Sequence, residues 1–89
     1  MATGEIRPLL VDLTLIGVLY NAATPSSSVA VLVDGSSGET YRVKVGNILG
    51  RMKVVRIGAQ DVTLNIDEFG FSRQETLVVN RNPRNTRRP

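Results

Sequence analysis

The most regular alternation of apolar and polar side chains in this sequence spans residues 41–45. Its apolar parity consists of Tyr41, Val43 and Val45, and its polar parity consists of Arg42 and Lys44. Successive side chains of a β-strand point to opposite faces of a sheet, so this period of two predicts a strand with one buried and one solvent-exposed face. The other apolar segments are predicted to form strands on either side of it.

A glycine corner follows that strand. Gly46 and Asn47 are residue types that tolerate the positive φ of a sharp reversal, and Gly50 is expected to turn the chain again after two apolar residues. A strand, a glycine corner and a second strand are typical of the passage from one sheet to the next in a small barrel or sandwich. Gly46, Asn47 and Gly50 are therefore predicted to be structural turn residues.

Residues 9–20 form the most apolar segment, with apolar side chains on both parities. This pattern favours a strand that is covered on both faces or that crosses from one sheet to another. Gly17 lies within it and is predicted to be a structural residue at a bulge or a close backbone contact. An amphipathic helix is the alternative, which the β-branched residues and Gly17 disfavour.

Further strands are expected at residues 29–33, 52–57, 62–66 and 72–79. The first of these is apolar on both parities, which predicts an interior strand. In the second, the inward phase changes between Val54 and Val55, which predicts a bulge. Residues 34–38 have the composition of a hairpin loop. We expect Phe69 and Phe71, in the loop before the last strand, to fold over an open end of the core.

Strands at spacings of about ten residues, separated by turn signals and without a helical segment, predict an all-β fold. We expect a small antiparallel β-sandwich or half-open barrel of about six to seven short strands. A chain of 89 residues is one domain. Its folded part is expected to span residues 10–79, between a flexible lead-in at residues 1–9 and a basic disordered tail at residues 80–89.

The net charge of +3 is concentrated in that tail, which contains Arg81, Arg84, Arg87 and Arg88. The preceding residues hold seven basic and eight acidic side chains, so the β-domain itself is close to neutral. No segment approaches the roughly 18 consecutive apolar residues of a membrane-spanning helix, and none has the order of a signal peptide. We therefore expect a soluble domain with no direct membrane span, and any segment for export or anchoring would lie outside this sequence.

The sequence contains no histidine and no cysteine, which excludes a disulfide framework and a Cys/His zinc site. The commonest general base of enzymes is therefore also missing. Among the eight acidic residues only Asp67 and Glu68 are adjacent, and they lack the repeated oxygen-ligand spacing of a calcium loop. We expect no catalysis, no cofactor and no metal.

Two classes of binding function remain. A small β-barrel nucleic-acid-binding domain would present stacking aromatics on a basic strand face, and the basic C-terminal tail would add attraction to phosphates. The chain has only two tyrosines and two phenylalanines, and Tyr41 falls on the core parity, so no nucleic acid is expected. The second class is protein binding through an exposed sheet edge, which a near-neutral, valine-rich domain fits better.

The predicted partner surface comprises the first strand, the neighbouring strand at residues 29–33 and the outward residues of the central strand. The first strand has no charge after Asp12, and charges are what natural proteins use to protect an edge strand from pairing. The last strand, by contrast, carries Arg73 and Glu75. The partner-binding candidates are Leu15, Ile16, Val18, Tyr20, Ala30, Leu32, Arg42 and Lys44.

Residues 10–79 resemble a known family in the order of their motifs. These motifs are Leu13-x-Leu15-Ile16-Gly17-Val18, Ala30-Val31-Leu32-Val33, Tyr41-Arg42-Val43-x-Val45-Gly46-Asn47-x-Leu49-Gly50, Val54-x-x-Ile57-x-x-x-x-Val62-x-Leu64 and Glu75-Thr76-Leu77. The order resembles the periplasmic domain of the type IV pilus assembly protein PilP. The homology region of the type II secretion protein GspC shares much of it. The Gly-Asn-x-Leu-Gly form is closer to the pilus protein, and Asn47 stands where the secretion relatives usually carry Asp.

The resemblance implies a small β-sandwich of the bacterial periplasm, tethered to the inner membrane in the full-length protein. The family's lipid-attachment cysteine is not in this sequence. The resemblance further implies a non-catalytic bridging role in a type IV pilus or type II secretion machine. The implied partners are the N-terminal periplasmic region of the outer-membrane secretin and, in pili, the inner-membrane proteins PilN and PilO.

Overall fold

The structure is a computed structural model of the chain and describes residues 8–79. Its strands are β1 (Leu13–Leu19), β2 (Val29–Asp34), β3 (Thr40–Val43), β4 (Ile48–Leu49), β5 (Met52–Ile57), β6 (Asp61–Glu68) and β7 (Phe71–Val78). Short 3-10 turns at Leu10–Asp12 and Pro25–Ser27 precede β1 and β2. The predicted tail at residues 80–89, and the predicted lead-in up to residue 7, lie outside the described residues.

The strands form two antiparallel sheets. The three-stranded sheet has the order β1-β2-β3 and the four-stranded sheet has the order β4-β5-β6-β7. Because β1 packs against β6 and β7, the two sheets face each other as two layers. The antiparallel β-sandwich expected from the sequence is therefore confirmed, with seven strands. None of the described residues belongs to a helix with the length and hydropathy needed to cross a membrane.

The hydrophobic core lies between the sheets and is built from alternate positions of their strands. β2 contributes Ala30 and Leu32, and β6 contributes Val62, Leu64 and Ile66. The full set of buried apolar side chains is Leu13, Leu15, Ala30, Leu32, Val43, Leu49, Met52, Val54, Ile57, Val62, Leu64 and Ile66. Fully burying one large apolar side chain contributes roughly 1.5–3 kcal/mol, so the inward parity of the strands holds the two layers together.

The chain passes from one sheet to the other at the glycine corner. Gly46 has a φ of +97°. The Asn47 Oδ1 atom accepts a hydrogen bond from the backbone N–H of Lys44 at 3.0 Å. The Gly46 N–H donates to the carbonyl oxygen of Val54 at 2.8 Å, and the Val54 N–H donates to that of Asn47 at 2.9 Å. These bonds attach the corner to β5, so the turn and the second sheet are built together.

Two residues beside the corner complete this region. Gly50, with a φ of +57°, turns the chain between β4 and β5. Val45, which the alternation predicts to face inward, is exposed instead. The reason is that β3 ends at Val43, so Val45 lies in the turn rather than in a strand.

Both predicted bulges are present. The pairing of β1 with β2 shifts between Leu15 and Gly17, and the pairing of β5 with β6 shifts between Val54 and Arg56. A bulge adds one residue to one strand and therefore changes which parity faces the core. In β1, Leu15 before the bulge and Val18 after it both contact the core.

The prediction that β1 is covered on both faces is wrong. Ile16 is 48% exposed and Leu19 is 70% exposed. The described residues form two layers only, so the outer face of the three-stranded sheet has no third layer over it. The apolar residues that do not face the four-stranded sheet consequently lie at the surface.

The connection between β6 and β7 is shorter than the sequence predicts. Phe69 and Gly70 alone form the turn, with φ values of +52° and +81°. Positive φ at both central residues is the geometry of a type I′ hairpin. Phe69 and Phe71 are 90% and 79% exposed, so the prediction that they fold over the core is wrong. A two-residue turn lacks the length to fold back over the sandwich.

Candidate partner-binding surface

Residues 8–79 contain no group of three or more acidic side chains placed to hold a metal ion. The two main pockets have volumes of about 300 and 250 Å³. The larger is lined by residues of β4, β5 and β6, and the smaller by residues 8–11 together with Met52, Ile66 and Arg73. Neither lining contains a hydroxyl or thiol side chain, so neither pocket places a serine- or cysteine-type nucleophile beside a base.

The buried carboxylate of Asp34 has a structural role. Its Oδ1 atom accepts hydrogen bonds from the side-chain hydroxyl of Ser36 at 2.7 Å and from the Ser36 backbone N–H at 2.8 Å. These bonds hold the pKa of the Asp34 carboxyl below its usual range. The Asp34 N–H donates to the carbonyl oxygen of Glu39 at 2.8 Å. Asp34 therefore closes the loop between β2 and β3, and all these partners belong to that loop.

The aromatic residues do not form a shared stacking platform. Tyr41 is half-buried against the core, and its hydroxyl donates to Glu39 Oε1 at 3.0 Å. Burial raises the pKa of this hydroxyl, and the hydrogen bond to Glu39 raises it further. Tyr20 follows β1, whereas Phe69 and Phe71 lie at the tip of the β6–β7 hairpin. The aromatics are thus distributed over separate elements.

Three of the eight partner-binding candidates are corrected by their burial. Leu15, Ala30 and Leu32 are between 0 and 1% exposed and belong to the core. Their parity of β1 and β2 faces the four-stranded sheet, so their side chains cannot reach a partner. Val18 is half-buried against the same core. Tyr20, which is 43% exposed, lies at the surface, as does Ile16.

The outer face of the three-stranded sheet brings together apolar side chains of β1 and β2. The β2 residues Val29, Val31 and Val33 are each half-buried although they face outward. Across the sheet, Val29 pairs with Leu19, and Val31 lies between Gly17 and Arg42. We call this surface the valine face and define it by Ile16, Leu19, Val29, Val31, Val33 and Arg42.

Sequence reasoning missed four residues of the valine face: Leu19, Val29, Val31 and Val33. The bulge at Ile16 reverses the phase of β1, so a simple alternation assigns Leu19 to the core. The signal that was available is the apolar character of both parities in residues 29–33. In a two-layer sandwich only one parity of a strand can face the other sheet, so the second parity must lie outside.

The charges of the described residues are distributed unevenly between the sheets. The ion pairs among them are Arg56 with Asp61 at 3.2 Å, Arg73 with Glu68 at 3.2 Å and Arg73 with Glu75 at 3.1 Å. All three lie in the four-stranded sheet, and the two glutamates raise the pKa of Arg73.

The exposed cations Arg42 and Lys44 form no ion pair with residues 8–79. Arg42 pairs directly with Val31 across the strands. Lys44 directly follows the last residue of β3 and is two positions from Arg42 along the chain. The valine face therefore has two uncompensated positive charges along its β3 margin.

The edge strand β1 pairs with β2 and with no other strand of the described residues. A strand at the edge of a sheet leaves alternate backbone N–H and C=O groups available for pairing. β1 has no charged side chain between Leu13 and Leu19. The β7 edge differs, because Arg73 and Glu75 form an ion pair along it. The open edge and the valine face adjoin each other along β1.

No family model matches the sequence, and no curated protein matches it. The fold nevertheless has a solved counterpart: the solution structure of a domain from the Neisseria meningitidis PilP pilot protein. The similarity covers 100% of this chain and 85% of that chain, with a TM-score of 0.66 and 23% sequence identity. This similarity shows a shared fold.

Proposed function

We propose that this chain is a non-catalytic protein-interaction domain of a type IV pilus machine. In this proposal it binds the N-terminal periplasmic region of the outer-membrane secretin and links it to inner-membrane assembly proteins of the PilN and PilO kind. It would act in the periplasm, as part of a protein tethered to the inner membrane. The observation that carries the proposal is the fold shared over the whole chain with the PilP pilot-protein domain.

The geometry of β1 supports this proposal. An extended segment of a partner can add a strand to an open sheet edge, with backbone hydrogen bonds supplying affinity and side-chain pockets supplying selectivity. β1 offers such an edge, and the exposed side chains of Ile16, Leu19 and Tyr20 lie on or beside it. Natural proteins commonly protect an edge strand with charged side chains, whereas β1 has exposed apolar side chains and no charge.

Two other functions have less support. The equivalent role in a type II secretion machine, with the GspC homology region as its counterpart, rests on the sequence motifs alone. A nucleic-acid-binding function requires aromatics and cations on one face, whereas the aromatics here are spread over β3, the end of β1 and the β6–β7 tip.

The decisive experiment is isothermal titration calorimetry of the domain with the N-terminal periplasmic fragment of the cognate secretin. The test variant is Leu19→Gln, which removes an exposed apolar side chain beside the β1 edge without adding charge. The matched control is Val78→Gln on β7, where the native side chain is 64% exposed. We expect Leu19→Gln to weaken binding about tenfold, because the complex would lose a leucine side chain that the partner covers. Val78→Gln should leave binding unchanged.

Both variants should unfold close to the wild-type temperature, because neither native side chain is in the core. Failure of the wild-type domain to bind the secretin fragment would overturn the proposed function. Equal weakening by Leu19→Gln and Val78→Gln would remove β1 from the interface.

A further inference from the structure

The valine face has the composition of a docking surface rather than of a solvated sheet face. Its centre is a row of three β-branched side chains, and the exposed Leu19 and Ile16 extend it toward the β1 edge. Solvated faces of antiparallel sheets normally carry polar side chains at these outward positions. Here the polar residues Thr14 and Thr40 are confined to one end, where both pair with Val33.

The charge at the margin of this face is of one sign. Arg42 is the charged residue of this face, Lys44 lies just beyond it at the end of β3, and the carboxylates of residues 8–79 lie elsewhere. Asp34 is buried, and Glu39 is bonded to the Tyr41 hydroxyl. Asp12 lies in the 3-10 turn before β1, and the remaining acidic residues belong to β6 and β7. An interface partner compensates charge by presenting the opposite sign at the matching position.

The four-stranded sheet provides an internal comparison. Two of its cations, Arg56 and Arg73, are held by carboxylates of the same sheet. Arg51 and Lys53 form no ion pair with another described residue, but they line a pocket with Asn65 and Asp67, so a carboxylate and an amide lie nearby. At the valine face, Arg42 and Lys44 form no ion pair within residues 8–79 and flank an apolar centre.

We propose that the valine face binds an acidic, amphipathic segment of a protein partner, with its apolar side chains on the valines and its carboxylates against Arg42 and Lys44. The inference rests on the proposed function and adds the chemistry of the partner segment to it. The cations occupy one margin and the apolar side chains the other, which matches a segment with one acidic and one apolar side. An anionic membrane would instead favour cations around the whole patch.

The test measures binding of the secretin's N-terminal periplasmic fragment to two charge-reversal variants. Arg42→Glu/Lys44→Glu reverses the cations of the valine face. Arg51→Glu/Lys53→Glu changes the net charge equally but on the other sheet, so it controls for long-range electrostatics. We expect the first variant to bind at least about tenfold more weakly and the control to bind within about twofold of wild type. Wild-type binding should also weaken as salt rises from about 50 to 300 mM.

A second measurement keeps the inference testable if the secretin fragment does not bind. A synthetic peptide that alternates Val and Glu, and its twin with Lys in place of Glu, would be titrated into the isotope-labelled domain. We expect chemical-shift changes at Val29, Val31 and Arg42 with the acidic peptide only. Absence of these changes would overturn the inference, whereas failure of the secretin fragment alone would overturn only the proposed function.

Two results would reassign the face. Equal weakening of secretin binding by both charge reversals would show that the effect is one of overall charge and would overturn the docking role of Arg42 and Lys44. Co-sedimentation of the domain with phosphatidylglycerol vesicles, abolished by Arg42→Glu/Lys44→Glu, would replace the protein segment by a lipid surface.

Discussion

The outer faces of the two sheets differ in the hydrogen bonds and ion pairs that their side chains form within the domain. On the four-stranded sheet, the Thr63 and Thr76 hydroxyls share a hydrogen bond at 3.0 Å, and Arg56 contacts Asp61 across the β5–β6 turn. On the three-stranded sheet, valines lie outward and Arg42 forms no ion pair within residues 8–79. The two faces thus differ in how many of their charged side chains form ion pairs within residues 8–79.

The same contrast extends to the edges of the sheets. Arg73 on β7 contacts Glu68 and Glu75, which places charge along that edge. β1 has no charged side chain. These differences in charge pairing and edge protection are the basis on which we select the three-stranded sheet as the candidate surface. The comparison can be tested by substitutions that separate folding from binding.

The largest effect is expected on the inward side of β2. Leu32→Ala removes a fully buried side chain from the core and should lower the free energy of unfolding by about 2–5 kcal/mol. Its neighbour Val31 faces outward, so Val31→Thr should cost less than about 1 kcal/mol while weakening partner binding. Urea denaturation of both variants measures the difference. A Val31→Thr protein as unstable as Leu32→Ala would show that the valine face is part of the core.

The second-largest loss of stability is expected at the glycine corner between the sheets. Gly46 has a φ of +97° with open space around it, so Gly46→Val is costly through backbone strain alone, at about 1–2 kcal/mol. The matched control is Gly17→Ala. Gly17 lies at the β1 bulge, does not have a positive φ and also has open space, so it should tolerate the methyl group. Thermal unfolding compares the two variants. Equal melting temperatures for Gly46→Val and wild type would contradict the prediction of backbone strain at position 46.

The hydrogen bond between the Thr63 and Thr76 hydroxyls should contribute less to the free energy of unfolding. Thr76→Val leaves the largely buried Thr63 hydroxyl without its partner and should cost about 0.5–1.5 kcal/mol. Adding Thr63→Val should recover part of the loss, so a double-mutant cycle by urea denaturation isolates the interaction. Partner binding should be the same in all three variants. Additive losses would mean that the two hydroxyls are not coupled.

The smallest expected effect has the opposite sign. Phe69 adopts a φ of +52° at the β6–β7 turn, where the side chain is almost fully exposed. Asn tolerates this conformation and is favoured in type I′ turns, so Phe69→Asn should stabilise the domain by about 0.5–1 kcal/mol. Differential scanning calorimetry would detect the rise in melting temperature. A fall would indicate that Phe69 makes a stabilising contact in solution.

The parts of the fold that follow from local pattern were predictable. Val62, Leu64 and Ile66 alternate without interruption and are buried, because a regular strand fixes its side-chain directions. The change of sheet at Gly46 was predictable because few residue types adopt its backbone conformation. The β5 bulge was predictable from a change of phase within six residues.

The parts that depend on neighbours were not predictable in the same way. The sequence of β1 predicts a bulge at Gly17 but not that Leu19 is thereby turned outward, since this depends on the pairing with β2. The turn at Phe69 was missed because tertiary structure imposes a positive φ on a residue that disfavours it. The predicted partner-binding residues include side chains from both faces of β1 and β2, and three of them are buried, because alternation alone does not say how many layers cover a sheet.

The order of the strands has a consequence for the synthesis of the chain. Each strand pairs only with strands adjacent to it in sequence, so both sheets assemble from hairpins, which form in about 1–10 μs. The packing of β1 on β6 and β7 joins distant segments and is therefore expected to limit the folding rate. All three strands of the valine face lie within residues 13–43 and are therefore synthesised before β4–β7. The inward side chains of β1, β2 and β3 have no layer to pack against until β4–β7 fold, so a stable valine face requires the C-terminal half of the chain.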